Sequence, residues 1–188
     1  MYRDWGTGFP VTIGWAVLNN HSLIACGVLN ISTKNQDFPW GILCWSNQCV
    51  DQIIRLYEKY HFVDKIVIEQ TNLGRNREYQ SFLEWLHCIL LKSFCNLNSD
   101  KKIEYVSTSQ WRKKLNLKLT KEQRKQNKFV LEQHRSGQKN VLQNGHRIGK
   151  VTSKHLAIQY VNSKFNLNLK QKYNDIADAI CIGLSVFN

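Results

Sequence analysis

The chain has 188 residues, 26 Lys and Arg against 14 Asp and Glu, and a net charge of +12 at neutral pH. That length suits one domain that buries a core without metals or disulfides. A hydrophobic share of 43% with 11% aromatic residues excludes a disordered solvating chain, and the charge makes a polyanion the first partner to expect. The charge is concentrated. Trp111 to His155 carries 13 Lys/Arg and only two acids, Glu122 and Glu132, whereas the remainder of the chain is close to neutral.

In chain order, a short strand is expected at Tyr2 to Trp5, ended by Gly6, Gly8 and Pro10. Thr12 to Leu18 and Leu23 to Ile31 are apolar runs around Asn19-Asn20-His21-Ser22, which reads as a hairpin. Ser32 to Gly41 reads as loop. Val50, Ile53, Ile54 and Tyr57 recur at helical spacing over Cys49 to Tyr57. Lys65-Ile66-Val67-Ile68-Glu69 is a buried strand ending in an acid. Tyr79, Phe82, Leu83, Leu86, Ile89, Leu90 and Phe94 trace an apolar helix face. Ile103 to Val106 is a further strand, and Ser107-Thr108-Ser109 can cap a helix over Gln110 to Leu115.

Leu119 to Gly149 has little apolar periodicity and many Lys, Arg, Gln and Asn, so it reads as a mobile or partly helical basic insertion. Thr152 or Ser153 can cap a helix running to Phe165, and Asn174 a last helix over Asp175 to Val186. Strands first, then alternating helices and strands, imply an α/β fold: a mixed sheet covered by helices on both faces. The expected organisation is one domain over 1–188 with a basic insertion at about 119–149.

Cysteines stand at 26, 44, 49, 88, 95 and 181, none in a C-x-x-C pair and none clustered with His, so zinc is not expected. Cys88, Cys95 and Cys181 fall in apolar helical patterns and read as buried free thiols. No basic-then-apolar leader opens the chain and no apolar run is long enough to span a bilayer, so a cytoplasmic, reducing location without a membrane partner is expected.

Acids are scarce, so those inside apolar elements stand out. Glu69 ends a strand; Asp175 and Asp178 lie three apart at the start of a helix, on one face. Burying a carboxylate beside Ile and Ala costs several kcal/mol, roughly 3–5 when a partner is missing, so a cation should sit nearby. Asp4, in Asp4-Trp5-Gly6, can present a fourth carboxylate at the end of the first strand. Carboxylates from strand ends and one helix can hold two hard cations about 3.5–4 Å apart, the arrangement for phosphodiester hydrolysis, and oxygen-only ligands favour Mg²⁺ or Mn²⁺. The bland alternatives are helix-dipole stabilisation by Asp175 and Asp178, and pairing of Glu69 with Arg75 or Arg77.

Asp-x-Gly followed by Gly14-Trp15-Ala16-Val17, then Ile66-Val67-Ile68-Glu69-Gln70, then Asp175-Ile176-Ala177-Asp178-Ala179 resemble the RuvC-type Holliday junction resolvases of the RNase H-like superfamily. Ile103-Glu104-Tyr105-Val106-Ser107 with Gln110-Trp111-Arg112-Lys113, and Gly149-Lys150-Val151-Thr152-Ser153-Lys154, resemble that family's later segments in the right order. The resemblance implies an RNase H-like mixed five-stranded sheet flanked by helices on both faces. It implies a Mg²⁺-dependent endonuclease with two ions per site (Mn²⁺ substituting), usually a homodimer, that nicks branched DNA, especially four-way junctions. Carried over, Asp4, Glu69, Asp175 and Asp178 are the metal-binding catalytic carboxylates, Lys113 or Lys114 an assisting cation, Leu73 the apolar wedge at the junction centre, and the helix around Tyr79 to Phe94 part of the dimer interface. The insertion at Leu119 to Gly149 exceeds the bacterial pattern and fits a divergent phage, viral or mobile-element version.

Arg75, Arg77, Arg112, Lys113, Lys114, Lys118, Lys121, Arg124 and Lys125 are the cations expected to neutralise DNA phosphates. Two rival readings keep the same fold: another RNase H-like nuclease, acting on flap or branch DNA or on RNA–DNA hybrid, and a catalytically silent junction-binding module. An anionic-membrane binder is the weakest reading, since no basic amphipathic helix is apparent.

Overall fold

In the computed structural model, β1 (Val11–Asn19) and β2 (Ser22–Ile31) form the expected antiparallel hairpin. Its two-residue turn places Asn20 at φ +51°, a left-handed conformation that asparagine tolerates better than most residues. The structure describes residues 11–31, 40–70, 77–97, 102–138, 140–143 and 146–187. The strand expected at Tyr2 to Trp5, with Asp4, lies outside the described residues, as do Leu73 and Arg75.

After the hairpin come α1 (Trp40–Lys59), β3 (Lys65–Glu69), α2 (Arg77–Asn96) and β4 (Lys102–Val106). β3 and β4 pair in parallel, with Glu69 opposite Val106. α1 begins nine residues before the expected Cys49, because Trp45 and Cys49 already supply an apolar pair four apart and both are buried. α3 (Thr108–Lys114), α4 (Lys121–Arg135), a short ribbon of β5 (Leu142–Gln143) with β6 (His146–Arg147), α5 (Ser153–Phe165) and α6 (Asn174–Leu184) complete the chain. A 3₁₀ turn, Gln171–Tyr173, leads into α6.

Strand alternation sorts the core into two layers. Ile13, Ile31, Ile66, Ile68 and Ile103 face α1 and α2, packing on Trp45, Cys49, Val50, Leu86, Leu90 and Phe94. Ala16, Leu18, Cys26, Val28, Val67 and Val106 belong to the other layer, with Trp111, Val161, Ala177, Ile180, Cys181 and Leu184. The α/β expectation with helices on both faces therefore holds. Among the described residues the strands form three separate two-stranded pairings, not one five-stranded sheet. Glu69 shares the second layer's side of β3 with Val67, which sends it towards α3 and α6.

The basic insertion is partly helical, one of its two expected forms: α4 is a 15-residue helix with a capping box, Thr120 Oγ1 accepting from Gln123 N–H and Gln123 Oε1 from Thr120 N–H. That S/T-x-x-E/Q signature was present in the sequence. Two expectations change. Asn174 does not cap the last helix but is its first residue, because the preceding 3₁₀ turn already brings the chain in at helical angles (φ −58°, ψ −33°). Cys88 and Cys95 are exposed rather than buried, since they lie on the outer side of α2 from Leu86, Leu90 and Phe94. Cys181 is buried, as expected. Among the described residues no helix is long and apolar enough to cross a membrane.

Candidate active site

α6 lies along β1 and runs in the same direction. Gly14 faces Asp175, and four residues on Leu18 meets Gly183. Four strand residues span about 13 Å and eight helical residues about 12 Å, so both contacts fit together. Both glycines are needed for the approach. A Cβ on Gly14 would stand 2.0 Å from the Asp175 carbonyl oxygen, and one on Gly183 2.3 Å from Leu18 Cδ1. This packing fixes the height of Asp175. Thr12, two residues before Gly14 and on the same face, donates from Oγ1 to Asp175 Oδ2 at 2.6 Å, and Asn174 Nδ2 donates to Asp175 Oδ1.

Glu69 is placed by α3. Ser107 caps that helix: its Oγ accepts from Gln110 N–H at 3.3 Å, and its N–H donates to Gln110 Oε1 at 2.8 Å. The cap sets where the helix starts, so Thr108 and Trp111, three apart, share a face. Both donate to Glu69 Oε1, Thr108 from Oγ1 at 2.6 Å and Trp111 from Nε1 at 3.2 Å. Trp111 is fully buried, so this arm of the site is built into the core. Salt-bridging of Glu69 to Arg75 or Arg77 falls on side chains outside the described residues.

Asp178 sits one turn beyond Asp175 on α6, in the field of Glu69, Asp175, Arg112 and Lys154. Burial pushes its carboxyl up to about 6; Glu69 and Asp175 push the same way, while Arg112 and Lys154 oppose. Its Oδ1 is buried and has no hydrogen-bond partner among the described residues. A buried oxygen left this way costs about 1–3 kcal/mol, more when charged. Arg112 does not relieve it: the guanidinium lies 4.8 Å from the Trp111 ring centre, and its Nε is likewise buried without a partner.

The structure thus brings Glu69, Asp175 and Asp178 towards one region. Among the described residues, no three His, Cys, Asp or Glu side chains stand close enough together to hold one metal ion. The donor chemistry nevertheless fits a hard cation: carboxylate oxygens only, one of them buried and unpartnered. Of the two lysines considered as assistants, Lys113 is exposed, and Lys114 Nζ donates to the Ser185 carbonyl at 2.9 Å. Ser185 lies beyond the far end of α6, about 10 Å along the helix axis from Asp178. Arg112 of α3 and Lys154, in the first turn of α5, are instead the cations whose fields act on Asp178, Arg112 the more strongly; the sequence marked Lys154 only as part of a family-like segment. Thr12, Thr108 and Trp111 also escaped sequence reading, because a donor to a distant carboxylate has no signature in its own neighbourhood.

The remaining expected DNA-contacting cations divide. Arg77 is the first residue of α2, and its side chain lies outside the described residues. Lys118, Lys121, Arg124 and Lys125 are exposed at the start of and along α4, where Arg124 Nε also donates to the Leu119 carbonyl at 3.2 Å.

Strands sandwiched between α1–α2 and α3–α5–α6, with acids at the end of β3 and the start of α6, define a RuvC-like α/β fold. Among solved structures the chain is similar to T. thermophilus RuvC in complex with a Holliday junction substrate, at a TM-score of 0.55 and 11% identity, over 88% of this chain and 77% of that one. No protein-family model and no curated protein matches the chain.

Proposed function

We propose that the protein is a metal-dependent, structure-selective DNA endonuclease that resolves four-way junctions, a divergent member of the RuvC type such as phages, viruses or mobile elements carry. The observation that carries this is Asp178: a half-buried carboxylate one turn from Asp175, in the field of Glu69, with one buried, unpartnered oxygen and pushed up to about 6. Such a group is expensive to keep for stability alone, and clusters of this kind mark functional sites. The fold shared with a junction-bound RuvC supports the substrate class.

In this reading Glu69, Asp175 and Asp178, with Asp4 as the fourth acid, would hold two Mg²⁺ or Mn²⁺ ions. Bound there, such ions supply water activation and stabilisation of the departing 3′ oxygen. The chain's own residues do the rest. Thr108 and Trp111 hold Glu69 by one oxygen, Thr12 holds Asp175, and Lys154 balances part of the negative field. Lys118, Lys121, Arg124 and Lys125, with Arg75, Arg77, Lys113 and Lys114, would grip phosphates of the junction arms; Leu73 would wedge its centre. A two-fold partner would suit a two-fold substrate, and α2 leaves Trp85 45% exposed beside Cys88 and Lys92. We place the protein in the cytoplasm.

A silent junction-binding module is the second reading, favoured by the absence of a closed three-ligand cluster among the described residues. The deciding experiment is nicking of a labelled four-way junction, beside duplex, fork and RNA–DNA hybrid, in Mg²⁺, Mn²⁺ or EDTA. Paired nicks in the junction alone, lost in Glu69→Gln and Asp175→Asn, are the expected result. Tight junction binding without nicking in either metal establishes the silent module. Preference for hybrid or fork moves the protein to another RNase H-like activity.

A further inference from the structure

α4 has two distinct sides. At 100° per residue, Lys121, Arg124, Lys125, Lys128 and Arg135 fall within about one third of the circumference. All five are exposed. The opposite side carries buried Val130 and the half-buried Gln123, Gln126 and Asn127. Polar residues on an inward face need a reason, and here two of them hold backbone. Asn127 Nδ2 donates to the Val151 carbonyl at 2.7 Å, while its Oδ1 accepts from the Val151 N–H at 2.7 Å. Gln126 Nε2 donates to the Gly149 carbonyl at 2.8 Å.

We propose that Asn127 is a positioning residue that couples the phosphate-holding face of α4 to the acid site. The inference rests on the nuclease reading above and names how its site is regulated by substrate. A side-chain amide bonded to both the N–H and the C=O of one residue imitates a strand pairing, so Val151 is fixed in height and in rotation. Two residues later α5 begins, and through Ala157, Ile158 and Val161 it packs on α6, the helix that carries Asp175 and Asp178. The intervening turn is stiff: Thr152 N–H donates to His155 Nδ1 at 3.0 Å, closing the start of α5. Phosphates drawn onto the outer face of α4 therefore act, through Asn127, on the start of α5 and so on the helix that carries Asp175 and Asp178. Val130 and Val141 are buried, so α4 keeps an apolar seat when the amide is removed.

The test uses the full chain with an immobile four-way junction, and the variants Asn127→Ala and Asn127→Asp, the latter keeping the acceptor but not the donor. Binding, its salt dependence, single-turnover nicking in Mg²⁺ and amide exchange in EDTA are compared. The expected result for Asn127→Ala is junction affinity within about twofold and an unchanged salt slope, with nicking slowed about tenfold, as loss of alignment rather than of binding requires. Asn127→Asp loses at least as much, because a carboxylate oxygen then faces the Val151 carbonyl. In wild type, junction binding slows exchange of the amides from Val151 to Leu156; in Asn127→Ala it slows exchange in α4 alone. Wild-type nicking together with a wild-type exchange response in Asn127→Ala overturns the proposal. So does a parallel loss of affinity, rate and unfolding midpoint, which marks a merely structural residue. If wild type binds the junction and never nicks it, the nuclease reading falls and the exchange comparison alone decides the coupling.

Discussion

Replacing Asp178 by Asn should stabilise the metal-free protein while removing its function. The carboxyl sits near 6 in the folded state against 3.8 when unperturbed, chiefly because it is buried. That difference is equivalent to about 3 kcal/mol as a ceiling, and solvent screening of a partly exposed group brings this to about 1–2. The folded state holds the proton more tightly than the unfolded chain. Its advantage is complete below pH 3.8 and is lost as pH rises through about 6, beyond which the charged, buried carboxylate is a constant liability. Asn keeps the shape without the charge. Urea unfolding in EDTA should therefore show wild type and Asp178→Asn alike near pH 4, and the variant more stable by about 1–2 kcal/mol at pH 7.5. Saturating Mg²⁺ at ten times its Kd should raise wild type by about 1.4 kcal/mol and leave the variant unchanged. A variant less stable than wild type at pH 7.5, or a difference that does not vary with pH, would refute the burial argument.

Three further outcomes can be checked directly. Gly14→Ala places a Cβ 2.0 Å from a backbone oxygen of α6, so a loss of about 3 kcal/mol or more in urea unfolding is expected, with weaker Mg²⁺ binding because Asp175 is displaced. Trp111→Phe keeps most of the packing but removes the Nε1–H donor to Glu69, costing about 1.5–3 kcal/mol at neutral pH; no change in unfolding midpoint would show that bond to be idle. Thiol labelling of the native protein at pH 8 should modify Cys88 and Cys95 within minutes and leave Cys49 and Cys181 unmodified, since burial pushes both of the latter up to about 12; mass spectrometry of the peptides reads the result.

Short-range signals carried much of the fold into view. Apolar alternation and the Asn-rich break place the hairpin within a residue or two, and the compact run of Lys65 to Glu69 coincides with β3. Helical spacing located α2 but misjudged its thiols, because Cys88 and Cys95 fall outside the stripe of Leu86, Leu90 and Phe94 that meets α1. A polar helix such as α4 has no apolar rhythm to announce it; its capping box is the local signal it carries. At the site, Glu69, Asp175 and Asp178 were legible as acids out of place among Ile and Ala. Arg112 was legible only as one more cation in a basic run, although it stacks on Trp111 and faces Asp178.

By itself, then, the sequence determined what depends on neighbours along the chain: where strands and helices form, which acids stand among apolar residues, and where positive charge gathers. The tertiary structure decided which distant groups share a field. Thr12 meets Asp175 and Thr108 meets Glu69 only because Gly14 lets α6 lie against β1 and Ser107 starts α3 at the right residue. The same holds for Arg112 and Lys154, whose fields reach Asp178 from α3 and α5 while Lys114 is drawn to Ser185 at the other end of α6. A Coulomb interaction depends on separation in space, and spacing along the chain sets that separation only within a single helix or strand.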